Sequence, residues 1–211
     1  MLAKLMSLFL LGLVRLLTGA QARWYGCPPK AEQRIYFANH QSHADLVMIW
    51  AALPEELRSI TRPIAARDYW TKTPFKQWIT TAVFNAIYVE RVRAEGAGPD
   101  GSAGPDPLQP LVEALEHGDS IIIFPEGTRG NAEEPQPFKS GLFALAQKFP
   151  NVVLVPAWID NIQRVMPKGE VVPVPILCSV TFGAPVRLEA GEERRHFLDR
   201  ARQAVIALRE T

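Results

Sequence analysis

An imidazole stands five residues ahead of a carboxylate in Asn39-His40-Gln41-Ser42-His43-Ala44-Asp45. On one ideal helix the two side chains would point roughly 140° apart. They meet only if His40 sits in a loop and Asp45 in the first turn of the helix that follows. The carboxylate would then accept from one ring nitrogen and leave the other to take a proton from a hydroxyl. A neutral imidazole has the proton affinity that a general base needs. The same spacing serves a plainer purpose too. Ser42 and Asp45 form a capping box with Asp in place of Glu or Gln, and His43 is then an exposed polar residue. The purposes are compatible, since a cap would hold the carboxylate still.

A second run, Phe124-Pro125-Glu126-Gly127-Thr128-Arg129, follows an uninterrupted apolar stretch. Gly127 permits close approach of the backbone to a ligand. Arg129 can grip a phosphate through two parallel hydrogen bonds. An ordinary surface turn reads the same way. Arg91 and Arg93 offer a second anion contact, or a solvated strand end. In Val155-Pro156-Ala157-Trp158-Ile159, Pro156 is expected to end a buried strand, and the apolar residues around it form a hydrophobic wall or simply core.

These residues need a scaffold, and the hydrophobic pattern supplies one. Strands are expected at Arg34–Ala38, Ala86–Val89, Ile121–Phe124, Val152–Val155 and within Pro173–Phe182. Ser59–Ala65 is extended, with Pro63 at an edge or an end. Helices are expected at Ala44–Leu53, at Asp68–Thr81 with a break at Pro74, at Leu108–His117 ahead of Gly118, and at Gly141–Phe149. Phe197, Leu198, Ala201, Val205 and Leu208 make one stripe of a last helix. Strands alternating with helices imply an α/β domain with a mixed, largely parallel sheet flanked by helices. It is expected over residues 30–211, with the Gly- and Pro-rich run 94–107 as a surface loop.

The chain has 211 residues, 23 Lys+Arg against 22 Asp+Glu, and a formal net charge of +1. This argues against a nucleic-acid binder, which would carry a basic excess. Cys27 and Cys178 are too few for a disulfide scaffold and lack metal-ligand spacing.

Residues 1–23 read as a membrane-interface helix. Its apolar run is broken by Lys4 and Arg15, which fall on nearly the same side and can snorkel to head groups. The run is too short for the ~20 residues of a spanning helix. A signal peptide ending at Ala20-Gln21-Ala22, or a helix docked on the core, would also explain it.

In this order the segments resemble the glycerolipid acyltransferase family typified by 1-acylglycerol-3-phosphate (lysophosphatidic acid) acyltransferase. That family carries N-H-x-x-x-x-D, G-x-x-F-I-x-R, F-P-E-G-T-R and V-P-V blocks. His40 and Asp45 match the first, Arg91 the second, Phe124–Arg129 the third in full, and Val155-Pro156-Ala157 the fourth with one change. Phe138-Lys139-Ser140-Gly141 and Pro167-Lys168-Gly169 also fall where the family has similar segments. Ala86 replaces a usual Gly, Arg67 a frequent Lys, and Gln77 a common Gly.

The resemblance implies acyl transfer from acyl-CoA or acyl-carrier protein to a lysophospholipid hydroxyl, without metal or cofactor. The foremost reaction it implies is 1-acylglycerol-3-phosphate to phosphatidic acid, with a different lysolipid or a lipid alcohol or amine as the alternative acceptor. His40 would be the base and Asp45 its orienting partner. Arg91, Arg67, Glu126, Gly127, Thr128 and Arg129 would bind substrate, with the Gly127 N–H stabilising the oxyanion. Val155 and Pro156 would form the hydrophobic wall. The partners would be the phospholipid surface and the two substrates, at the cytoplasmic face of the membrane. Two other readings share the residues: a hydrolase using His40 and Asp45 on water, without a G-x-S-x-G elbow, and a non-catalytic lipid-binding protein.

Overall fold

A computed structural model describes residues 2–42, 44–90, 106–130, 134–160 and 177–211. Arg91, Pro167-Lys168-Gly169 and nearly all of the expected 94–107 loop lie outside the described residues.

The chain opens with α1 (Leu2–Thr18), β1 (Gln21–Trp24), β2 (Arg34–Ala38), α2 (Asp45–Ala52), α3 (Glu55–Ser59) and β3 (Thr61–Ala66). Next come α4 (Arg67–Trp70), α5 (Pro74–Trp78), a π-turn (Ile79–Val83) and β4 (Ile87–Val89). After these follow α6 (Gln109–Glu116), β5 (Ser120–Ile123), α7 (Gly141–Lys148), β6 (Val153–Asp160), β7 (Ser179–Phe182) and α8 (Arg194–Ile206). Seven strands form one sheet in the order β1-β7-β6-β2-β5-β3-β4. Only the β6–β7 pairing among them is antiparallel. The mixed, largely parallel sheet read from the sequence is the one observed.

Every residue of β2, β5 and β7 is buried, as expected of strands covered on both faces. Tyr36, Ala38, Val155 and Ile159 face a core shared with α2 and part of α1. Ile35, Phe37, Ile121 and Ile123 face the opposite core, shared with α6, α7 and α8. This layering directs β2, β3, β4, β5 and β6 the same way, so their carboxyl ends line one rim of the sheet.

Several elements differ from expectation. The helix expected within residues 1–23 occupies Leu2–Thr18, and Gln21–Trp24 pair with Ser179–Phe182 as an edge strand. The joint is Gly19-Ala20, both at positive φ (69° and 38°). β1 escapes sequence reading because Gln21-Ala22-Arg23-Trp24 has an edge strand's half-exposed, mixed pattern. The break expected at Pro74 is present, since α4 ends at Trp70 and Pro74 starts α5; Thr73 Oγ1 accepts from Lys76 N at 3.3 Å, an N-cap with proline in the first turn. Pro63 lies inside β3, where one ladder gives way to the next. β5 pairs with Thr61–Pro63 and β4 with Ile64–Ala66.

Pro156 does not end its strand; β6 runs through it to Asp160. Its carbonyl accepts from Gly183 N at 2.9 Å, just beyond the end of β7. Proline's missing N–H therefore faces the flank where the neighbouring strand has already stopped. Val155 is fully buried in the α2-side core. Val155 and Pro156 thus serve as core and sheet rather than as an exposed wall.

Candidate active site

β2 ends at Ala38, and the next two residues are fixed by bonds to neighbouring strands. Asn39 is buried and extends the ladder with its side chain: Nδ2 donates to Ile159 O at 3.1 Å, and Oδ1 accepts from Ile159 N at 2.8 Å. His40 is held by its backbone from both sides. Its N–H donates to Glu126 Oε1 at 2.7 Å, and its carbonyl accepts from Gly130 N at 2.9 Å.

The imidazole lies stacked on Phe124, ring centroids 4.3 Å apart and nearly parallel at 15°. Its Nδ1 lies 2.9 Å from Asp45 Oδ2. The same oxygen accepts from Gln41 N at 2.6 Å and Ser42 N at 2.8 Å. Asp45 is fully buried at the start of α2. Against a carboxylate that only accepts, Nδ1 is the donor, and a neutral ring with its proton there has its lone pair on Nε2. No described residue bonds to Nε2, and 22% of the side chain is exposed.

One carboxylate oxygen therefore joins the His40 ring to the Gln41 and Ser42 N–H groups. The capping box read from the sequence is not what α2 begins with: its N-cap residue is Ala44, which makes no side-chain cap bond. Asp45 accepts from Gln41 and Ser42, while the Ser42 hydroxyl accepts from Ala44 N at 3.2 Å.

The Phe124–Arg129 turn follows β5, beside β2. Glu126 is 2% exposed, and both its oxygens are used: Oε1 by His40 N and Oε2 by Gln136 N at 2.8 Å. Burial pushes its carboxyl up, while the Gln136 and His40 N–H groups pull it back. An acid so enclosed does not meet a head group. Glu126 instead ties the His40 loop to the Gln136 segment. Gly127 has φ +70°, and its N–H donates to Phe124 O at 3.0 Å. The oxyanion-donor role expected for that N–H is thus already taken by the turn. Thr128 and Arg129 are exposed.

Arg67 stands just beyond β3, two strands from His40, or ~10 Å at the usual strand spacing. Its Nε pairs with Glu90 Oε1 at 2.8 Å, and its guanidinium carbon lies 5.3 Å from the centre of the Tyr88 ring. Both members of the pair are more than half exposed, so the pairing is weak and open to exchange for a better anion. The structure brings together His40, Asp45, Glu126 and Gly127, with Arg67 on the same rim. Asn39, Gly130 and Gln136 hold the loop. Gly130 and Gln136 act through backbone N–H groups, which leave no mark on side-chain patterns. Among the described residues, no three His, Cys, Asp or Glu side chains form a metal-binding group.

A family model described as Acyltransferase matches residues 27–160, more than half of the chain. The chain is 28% identical over 177 residues to a 1-acyl-sn-glycerol-3-phosphate acyltransferase of Cocos nucifera, covering 78% of this chain and 50% of that one. It is 26% identical over 142 residues to the chloroplastic 1-acyl-sn-glycerol-3-phosphate acyltransferase LPAT1 of Arabidopsis thaliana, covering 67% and 36%. The chain thus spans half or less of the length of these curated relatives. The crystal structure of the 1-acyl-sn-glycerophosphate (LPA) acyltransferase PlsC from Thermotoga maritima has the same fold, with TM-score 0.70 at 19% identity over 99% of this chain and 80% of that one. The matched span runs from just before β2 to the end of β6 and holds every residue of the His40–Asp45–Glu126 assembly, and this chain belongs to the Acyltransferase family.

Proposed function

We propose that this protein is an O-acyltransferase. It moves a fatty acyl group from acyl-CoA or acyl-carrier protein to the free hydroxyl of a lysophospholipid, foremost 1-acylglycerol-3-phosphate, giving phosphatidic acid. The observation that carries this reading is the His40 ring, oriented by buried Asp45 through Nδ1, with Nε2 bonded to none of the described residues. The names of the curated relatives supply the acceptor.

In the reaction, Nε2 takes the acceptor's hydroxyl proton as the oxygen bonds to the thioester carbonyl carbon. The C–S bond breaks, and Nε2 returns the proton to the departing thiolate. The ionised Asp45 stabilises the imidazolium in between. The N–H groups of Thr128 and Arg129, next along the turn from the occupied Gly127 N–H, serve the oxyanion. Arg67, Arg91 and Arg129 hold the anionic head group.

The test is product analysis by mass spectrometry. The protein, in phospholipid vesicles, receives each acyl donor with lysophosphatidic acid, other lysophospholipids or monoacylglycerol. Phosphatidic acid is expected only when donor and acceptor are both present. Fatty acid released without acceptor would replace this reading with a hydrolase.

The same proposal places the protein on a membrane surface. Among the described residues no helix is long and apolar enough to cross a membrane. α1 instead turns its apolar stripe outward: Leu2, Leu5, Phe9, Leu13 and Leu16 are exposed, Leu16 by 81%. Leu11 is buried beneath, and Leu10 and Val14 pack on the core. An outward stripe at helical spacing suits a bilayer interface. Changing Leu5, Phe9 and Leu16 together to Glu is expected to lower vesicle partitioning at least 100-fold in a sedimentation assay. The thermal midpoint should hold, because all three side chains already face outward. Unchanged sedimentation would refute the membrane role of α1.

A further inference from the structure

The ring of Phe124 lies against the base itself, and the register of the sheet puts it there. β2 and β5 run parallel, with Tyr36 opposite Ile122. Side chains alternate along a strand, so Tyr36 and Ala38 share one face, and Ile122 and Phe124 share it with them. Tyr36, Ala38 and Ile122 lie in the α2-side core, and Phe124 packs against that core. The same period of two carries this face on to His40, just past the end of β2. The two rings therefore rise side by side from neighbouring strands, and they stack with centroids 4.3 Å apart at 15°.

Both partners are held at the backbone. His40 N donates to Glu126 Oε1, and His40 O accepts from Gly130 N. Phe124 O accepts from Gly127 N at 3.0 Å, and Pro125 O from Lys139 N at 2.9 Å. Asp45, in contrast, fixes only the Nδ1 corner of the imidazole. A hydrogen bond tolerates roughly 30° of bending, so that bond alone leaves the ring free to tilt about Nδ1. Any tilt swings the Nε2 lone pair away from a waiting hydroxyl. A flat neighbour removes this freedom, because two stacked faces keep full contact only while they stay parallel. An aliphatic side chain of similar bulk sets no plane. The π face also attracts positive charge, so the stack persists when the imidazole takes its proton.

We infer that Phe124 is a positioning residue for the base: its ring holds the plane of the His40 imidazole and so aims Nε2. It acts through His40, and the inference rests on the acyltransferase reading for the hydroxyl that Nε2 meets.

The test compares wild type with Phe124→Leu and Phe124→Met, which keep apolar bulk, and with Phe124→Tyr, which keeps the ring. Leu and Met differ in shape, so either variant that stays folded gives the reading. The aliphatic variants should lower kcat about 10- to 100-fold, the cost of a misaimed reacting group, with KM for acceptor and donor unchanged. Phe124→Tyr should keep most of the wild-type kcat. An unchanged kcat in the aliphatic variants, a loss seen in KM alone, or a Phe124→Tyr as slow as Phe124→Leu overturns the inference. Proton NMR supplies a readout free of turnover, since an aromatic face shifts protons stacked over it upfield. The His40 Hε1 resonance, assigned by its absence from His40→Ala, should lie upfield in wild type and Phe124→Tyr and move downfield in the aliphatic variants. A resonance that does not move overturns the inference as well. If wild type transfers no acyl group but its Hε1 resonance still depends on the ring at position 124, the acyltransferase reading fails while the holding of His40 by Phe124 stands.

Discussion

Replacing His40 by alanine is expected to reduce acyl transfer by about 10²- to 10⁴-fold, the range supplied by a positioned general base. The protein should remain folded. The bonds that hold the loop run through the His40 backbone, to Glu126 Oε1 and from Gly130 N, and truncation leaves both in place. What disappears is the ring stacked on Phe124 and the base it carries. Asp45→Asn should cause a loss of comparable size for a different reason. An amide at position 45 keeps its oxygen toward the Gln41 and Ser42 N–H groups and Nδ1, since an NH2 there would face two donors, and so loses the negative charge that stabilises the imidazolium. The measurement is transfer of labelled acyl groups, with circular dichroism and a thermal midpoint as controls. A folded His40→Ala protein that keeps a tenth of wild-type turnover would remove His40 from the mechanism.

The second large effect is expected at Glu126. Glu126→Ala strands two N–H groups, those of His40 and Gln136, in a site where the acid itself is 2% exposed. Each unsatisfied group costs about 1–3 kcal/mol, so the loop should shift to find other partners. A displacement near 1 Å at a reacting group can cost about 10²-fold in rate. The expected result is therefore kcat lowered about 100-fold, with KM for the lysophospholipid nearly unchanged and a reduced thermal midpoint. Glu126→Gln should fall between, because its carbonyl oxygen accepts from one N–H while its NH2 confronts the other. A rise in acceptor KM at constant kcat would return Glu126 to the head-group role expected from the sequence. Steady-state kinetics on both variants decide between the two.

The parts of this site readable in the sequence were those whose chemistry resides in side-chain type. His40 and Asp45 stood at a spacing that works only across a loop-to-helix boundary, and the structure places them there. β2 and β5 were legible because strands covered on both faces must be continuously apolar. Strand β1 was not, since an edge strand need satisfy no such rule. Pro156 misled because proline usually terminates a strand; here its neighbour leaves the sheet first. Glu126 misled more instructively. Its charge suggested a ligand contact, but its work is done through backbone N–H groups of residues 40 and 136, and no sequence pattern records which amide a carboxylate will accept from. The occupied Gly127 N–H was hidden for the same reason.

The joint between α1 and β1 has a mechanical consequence. Only Gly19 and Ala20 separate the end of the helix from a strand hydrogen-bonded along its whole length to β7. Thr18 Oγ1 accepts from Ala20 N and donates to Val14 O, bracing the corner. A helix so mounted behaves as a rigid outrigger rather than a tether. If α1 lies along a bilayer, the body of the protein is held at one tilt, and His40 at one height above the lipid. The acceptor's hydroxyl must then rise to a fixed station, so the depth at which that hydroxyl rides becomes a criterion for choosing substrates, alongside the charge of its head group.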